Sequence, residues 1–275
     1  MDSMQVYRGM DIGTAKASVA EQARVRHHMI DIADPSEDFS VARFQAEARV
    51  VIADIEARGH RALLVGGTGL YVQAVIDDLR FPGEDLELRE RIDTAYSGDD
   101  GLAIAYASLI DRDPVAAARM EPGNRRRIVR ALEVIELSGR PFSSFGAGIG
   151  AGHAPVIDVR FAGLTLDAET LSARVDQRLD SMLDAGLVDE VRLLAARTGG
   201  WSRTARQAIG YKEIVEFLEG RLGSIEEAIE RVAVRSRQFG RRQRAWFRRE
   251  ARITWFDATD KSPPAAEQVM AWWGS

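Results

Sequence analysis

The sequence predicts an α/β protein, a parallel-sheet core interrupted by an inserted block of helices, and three observations carry that reading. Ala62–Val65, Asp158–Leu166 and Ile253–Phe256 are short apolar runs of strand length. The first runs into Gly66-Gly67-Thr68-Gly69 and an apolar stretch through Ile76, the strand, glycine turn and helix of a parallel sheet. From Gly83 to the glycine-rich stretch Gly146–Pro155 the pattern is helical throughout, in Leu86–Tyr96, Gly101–Ile110, Pro114–Arg119 and Arg125–Leu137. A helical insertion at 85–155 within a core of 1–84 and 156–275 is the simplest arrangement. The helix before the first strand, Val41–Arg58, closes at Gly59. Gly146–Pro155 reads as a flexible loop near a domain boundary.

Strand candidates are few for such a core, and Met1-Asp2-Ser3-Met4 resembles the exit of a strand. The sheet is therefore expected to lack a strand, leaving open edges and low solubility. A chain of 275 residues with 45% hydrophobic and 29% charged residues suits a globular protein. No apolar run approaches the roughly 18–20 residues a membrane span needs, and no signal-peptide pattern is present. The absence of cysteine removes disulfides and thiolate chemistry and fits a cytoplasmic location. His27, His28, His60 and His153 show no metal-ligand spacing and read as structural, so no metal residue is assigned.

Net charge is −5, yet nine arginines face one acid, Glu250, between Arg231 and Arg252. Arg237, Arg241, Arg244, Arg248 and Arg252 follow helical steps of three and four without alternating sign, a stripe suited to a phosphate backbone. Trp246 and Phe247 beside it read as core packing rather than base stacking.

The densest motif is Asp2-Ser3-Met4-Gln5-Val6-Tyr7-Arg8-Gly9-Met10-Asp11-Ile12-Gly13-Thr14-Ala15-Lys16, a carboxylate at a strand end followed by a polar, glycine-punctuated loop. By composition alone Asp2 is a capping aspartate. His27-His28-Met29-Ile30-Asp31, Val65–Tyr71, Asp113-Pro114, Arg130–Val134, Ile209–Glu213 and Arg242-Gln243 with Trp246-Phe247-Arg248 follow in order. Together these motifs resemble the tRNA dimethylallyltransferase family along essentially the whole chain.

The resemblance implies a P-loop NTPase-like core with a helical insertion, here without the family's first strand and G-x-x-x-x-G-K-[ST] loop. It also implies transfer of a dimethylallyl group from its diphosphate to N6 of adenine 37, in tRNAs reading codons that start with U. The implied partners are the tRNA anticodon stem-loop and dimethylallyl diphosphate, with Mg²⁺ as cofactor and the chain acting as a monomer. Asp2 matches the general base and Arg178, with Arg174 one turn away, the group on the leaving diphosphate; spacing alone makes this pair a solvated one on an amphipathic helix. Ser3, Met4, Gln5, Thr68, Arg89, Arg126, Arg127, Ile128, Val129, Arg130, Arg206, Arg241, Arg242 and Gln243 match tRNA-contacting positions. Thr68 also reads as an N-cap hydroxyl, and the Arg126–Arg130 cluster as solvated surface. A tRNA-binding fragment without activity and a P-loop small-molecule kinase relative are the other classes.

Overall fold

The computed structural model describes residues 1–77, 79, 81–145, 155–259 and 264–274. The chain begins with helices α1 (Val19–Arg24), α2 (Val41–Ala57) and α3 (Gly69–Ile76). Next come α4 (Leu86–Ala95), α5 (Gly101–Arg112), α6 (Pro114–Ala117) and α7 (Arg125–Ser138). After Pro155 follow β1 (Phe161–Thr165), α8 (Ala168–Asp184), α9 (Leu187–Ala195), α10 (Tyr211–Leu218), α11 (Ile225–Phe247), β2 (Ile253–Asp257) and α12 (Ala265–Gly274). Two compact units result, one of residues 1–77 and 155–275, the other of residues 78–154.

The helix ends follow local chemistry. Ser40 accepts from the Arg43 amide to open α2, and Gly59 at φ +77° ends its last turn in a conformation that a side chain would strain. Asn124, Asp167 and Ser224 cap α7, α8 and α11 in the same way. Asp113 caps α6 with Pro114 as its first residue, and its carboxylate also takes the Ser143 amide and hydroxyl at 2.7 and 2.8 Å.

In the first unit β1 and β2 pair in parallel, Phe161 opposite Ile253 through Thr165 opposite Asp257. The crossover between them carries α8 to α11, as a parallel pair requires. Ala62–Val65, expected as a buried strand, forms no ladder among the described residues, and its Leu63 and Val65 side chains are exposed. An apolar run becomes a strand only when a neighbour supplies partners for its amides and carbonyls. The core gathers Tyr7, Met10 and Phe44 with Leu187, Tyr211 and Ile214. Phe247 packs edge-on to Phe161 of β1, as core packing requires.

Asp77, the last residue before the second unit, is nearly buried. Arg252 grips its two carboxylate oxygens at 2.7 and 3.1 Å, and Arg49 takes its carbonyl at 2.6 Å. Pro155, where the chain returns, bridges to Asp77. The flexible-loop expectation for Gly146–Pro155 otherwise lies outside the described residues.

The second unit packs α4, α5 and α7 around Leu88, Ile92, Leu109, Ile128 and Leu132. Buried in it is Glu133, whose carboxylate takes the Asp85 amide at 2.9 Å, Arg89 at 2.6 Å and Arg130 at 2.8 Å. Burial opposes the charge, but Arg89, the Asp85 amide and Arg130 outweigh it and hold the carboxyl below its ordinary 4.5. A depressed carboxyl adds stability above that ordinary value and loses it as pH falls through the folded value. Glu133→Ala strands two half-buried guanidinium groups and costs this unit about 3–5 kcal/mol. Amide exchange along α7 measures this, and wild-type protection declines in acid below pH 4.5.

Candidate active site

Within the first unit the Asp2 segment folds into a tight turn. One carboxylate oxygen, Oδ1, accepts from the Met4 and Gln5 amides at 2.7 and 3.3 Å, so Asp2 does cap its own turn. Its other oxygen has no hydrogen-bond partner among the described residues. The adjacent Ser3 amide donates to the Thr68 hydroxyl at 3.4 Å. Thr68 occupies the N-cap position of α3, yet its hydroxyl makes no bond to that helix, so the capping role expected of it is replaced by this link. Burial pushes the Tyr71 phenol far above its ordinary range, and the negative charge of Asp2 adds to the shift.

Helix α11 closes on the glycine turn. Gln243 donates to the Gly67 carbonyl at 3.0 Å, and a Cβ on Gly69 would meet the Trp246 ring at 2.2 Å. Gly69→Ala is expected to cost about 1–3 kcal/mol through overpacking, read as a lowered melting temperature. The Gly69→Ser variant falls further.

From the turn Gln5 reaches on, its Nε2 donating to the carbonyls of Thr14 and Ala15 at 3.0 and 3.2 Å. Ala15 lies on the wall of a cleft of about 530 Å³, together with Asp11, Ile12, Lys16, Asp31, Arg178 and Ser181. Arg178 projects from α8 into this cleft, exposed and without an ion partner among the described residues. Arg174 lies one turn earlier and donates to the Ala258 carbonyl at 3.2 Å. The Asp2 turn is thus tied through Gln5 to the Thr14–Ala15 stretch of the cleft wall, and Arg178 lines the same cleft.

The arginine stripe divides. Arg237 is held by Asp176 and Ser172, Arg244 by the Leu166 carbonyl, and Arg252 by Asp77 and Glu250. The continuous phosphate-binding stripe expected from spacing is therefore corrected: α11 ends at Phe247, and three of the five cations are fixed internally. Arg241 and Arg248 remain exposed, as does Arg242, whose guanidinium lies 6.0 Å from the Phe239 ring centre. Arg206 pairs with Glu219 at 2.6 Å.

The second unit likewise sorts its candidates. Arg126 and Arg127 are exposed at the start of α7. Arg89 and Arg130 are engaged by Glu133, and Arg130 also donates to the Pro82 and Gly83 carbonyls. Ile128 and Val129, matched by motif to tRNA contact, are corrected to core residues: their side chains are 0% and 4% exposed. On an amphipathic helix the residues following two exposed arginines turn inward, so a contiguous block cannot all face a ligand.

Two charged groups that organise this loop were not singled out from sequence. Lys16 has a nearly buried side chain whose ammonium donates to the Tyr7 carbonyl at 2.8 Å, Asp11 at 2.5 Å and Asp31 at 2.6 Å. Its place at the end of the Asp2 motif was the available signal. The other is Glu190 on α9, which binds that same loop from far along the chain.

The first unit thus carries a cleft lined by one arginine, Arg178, with a carboxylate turn tied to its wall, and the second unit carries exposed arginines. The IPP transferase family model matches residues 5–250. A tRNA dimethylallyltransferase of Kineococcus radiotolerans is 48% identical over 96% of this chain and 81% of its own length. One from Symbiobacterium thermophilum is 49% identical over 94% of this chain and 80% of its own length. The crystal structure of the tRNA isopentenylpyrophosphate transferase of Bacillus halodurans superposes with a TM-score of 0.68 at 41% identity, over 98% of this chain and 84% of that one. A structure of a eukaryotic dimethylallyltransferase acting on tRNA gives 0.79 at 29% identity, over 98% of this chain and 70% of that one. The chain belongs to the IPP transferase family, and its core is of the P-loop NTPase-like class that the sequence predicts.

Proposed function

We propose that the chain transfers a dimethylallyl group from dimethylallyl diphosphate to N6 of adenine 37 in tRNAs that read codons starting with U. What supports this is a carboxylate, Asp2, whose turn is tied through Gln5 to the wall of a cleft lined by Arg178, a cation with no ion partner among the described residues.

The adenine amine is a weak nucleophile because its lone pair is delocalised into the ring. As N6 attacks the allylic carbon, a proton must leave N6, and the unoccupied Asp2 oxygen accepts it. The C–O bond to the diphosphate breaks with its electron pair passing to the departing oxygen, and Arg178 in the cleft meets that new charge. The products are prenylated adenine and pyrophosphate. Adenine reaches Asp2 only when flipped out of the anticodon loop, at a cost of a few kcal/mol. Ser3, Met4 and Gln5 of the Asp2 turn, with Thr68 bonded to the Ser3 amide, would border the flipped base. Arg126, Arg127, Arg241 and Arg242 are the exposed cations proposed to meet the tRNA backbone.

Mg²⁺ would spread the charge of a bound diphosphate. The described residues offer no protein cage for it: no group of three or more His, Asp or Glu side chains is placed to hold a metal, and Asp11 and Asp31 are taken by Lys16.

Mass analysis of nucleosides from tRNA incubated with the chain and dimethylallyl diphosphate tests the reading. Isopentenylated adenosine is the expected product. A shifted tRNA band without product would instead mark a tRNA-binding protein that does not perform transfer.

A further inference from the structure

Glu190, on the first turn of α9, makes an arrangement that the proposed chemistry does not yet use. One oxygen of its carboxylate accepts from the Asp11 and Ile12 amides at 3.0 and 2.8 Å. The other accepts from the Gly13 amide at 3.2 Å and from the Tyr211 hydroxyl at 2.5 Å. Three consecutive backbone amides converging on one anion form a nest, which here is filled by a side chain some 178 residues away in sequence. Tyr211 supports the carboxylate from below. Its phenol is pushed far above its ordinary range by burial and then by the Glu190 bond, so it stays a donor. Gly13 admits this packing, since a Cβ there would meet the Tyr211 ring at 2.4 Å.

The loop so gripped is the wall of the cleft. Asp11 and Ile12 line it directly, as do Ala15 and Lys16 a few residues on. The backbone at Ala15 sits at φ +47°, a conformation L residues rarely adopt and one that needs outside restraint. The Thr14 and Ala15 carbonyls in turn hold Gln5, and hence the Asp2 turn.

We infer that Glu190 is a positioning residue: by filling the Asp11–Gly13 nest it sets the wall against which the diphosphate lies opposite Arg178, and so governs diphosphate binding more strongly than tRNA binding. This rests on the proposed reading of the cleft. Glu190 touches neither substrate. Its effect runs through the loop.

The test is steady-state kinetics of the full chain with both substrates varied, beside gel-shift affinity for tRNA. Glu190→Gln keeps the shape but points an amide donor at backbone donors. It is expected to raise KM for dimethylallyl diphosphate by about tenfold, and Glu190→Ala to lower kcat/KM on the order of 10²-fold, the scale for a displaced site. Affinity for tRNA falls less than affinity for the diphosphate in both. Glu190→Asp recovers part of the loss, and Tyr211→Phe falls between. A Glu190→Gln variant with the wild-type KM for the diphosphate overturns the inference, as does one that loses tRNA and diphosphate affinity in parallel, the mark of general unfolding. A wild-type chain that forms no product overturns the reading of the cleft itself, and the inference with it.

Discussion

Asp2→Asn is expected to lower the rate of prenyl transfer by about 10²–10⁴-fold, the range a positioned general base contributes. The variant suits the purpose because asparagine retains an oxygen for the Met4 and Gln5 amides, which Asp2 now holds at 2.7 and 3.3 Å. The turn therefore survives, while the second position carries an amide that cannot take a proton. Binding of tRNA and of the diphosphate should be nearly unchanged, so the loss appears in kcat rather than in KM. Asp2→Ala removes the cap as well and is expected to perturb KM for tRNA through Ser3 and Thr68. Single-turnover kinetics on the two variants separates these effects.

Arg178→Ala should reduce kcat about 10²–10³-fold, comparable with the loss of one fixed donor to a developing oxyanion. A guanidinium that is exposed and has no ion partner among the described residues gives up water, but no internal salt bridge there, on meeting a diphosphate. The same substitution at Arg174, which already serves the Ala258 carbonyl, is expected to cost less. Arg178→Lys restores charge but not the planar fork, so activity returns only in part. Pyrophosphate titrated calorimetrically should bind the Arg178→Ala variant more weakly, because the leaving product meets the same cation.

Much of the fold could be read from local signals, because those signals are local causes. Ser40, Asn124, Asp167 and Ser224 open helices with their own side chains, and Gly59 closes one. β1 and β2 were visible as short apolar runs, each entered from an arginine, Arg160 or Arg252. Ala62–Val65 was misread as a strand because a ladder depends on a neighbour, which no window of sequence contains.

The arginines show the same limit. Helical spacing placed Arg237, Arg244 and Arg252 on one stripe, but their partners Asp176, Leu166 and Asp77 lie 61 to 175 residues away. Ile128 and Val129 were carried along with their charged neighbours, and the turn of the helix put them inside. Glu190 escaped notice because a carboxylate four residues into an amphipathic helix looks like any first-turn acid. Only the folded loop reveals what it holds.

The most direct measurement is a crystal structure of the chain with pyrophosphate and an anticodon stem-loop RNA. The adenine is expected to be extruded from its stack, with one Asp2 oxygen about 2.6–3.2 Å from N6 and the Arg178 guanidinium on a pyrophosphate oxygen. An adenine left stacked in its loop, or a pyrophosphate seated away from Arg178, would contradict this.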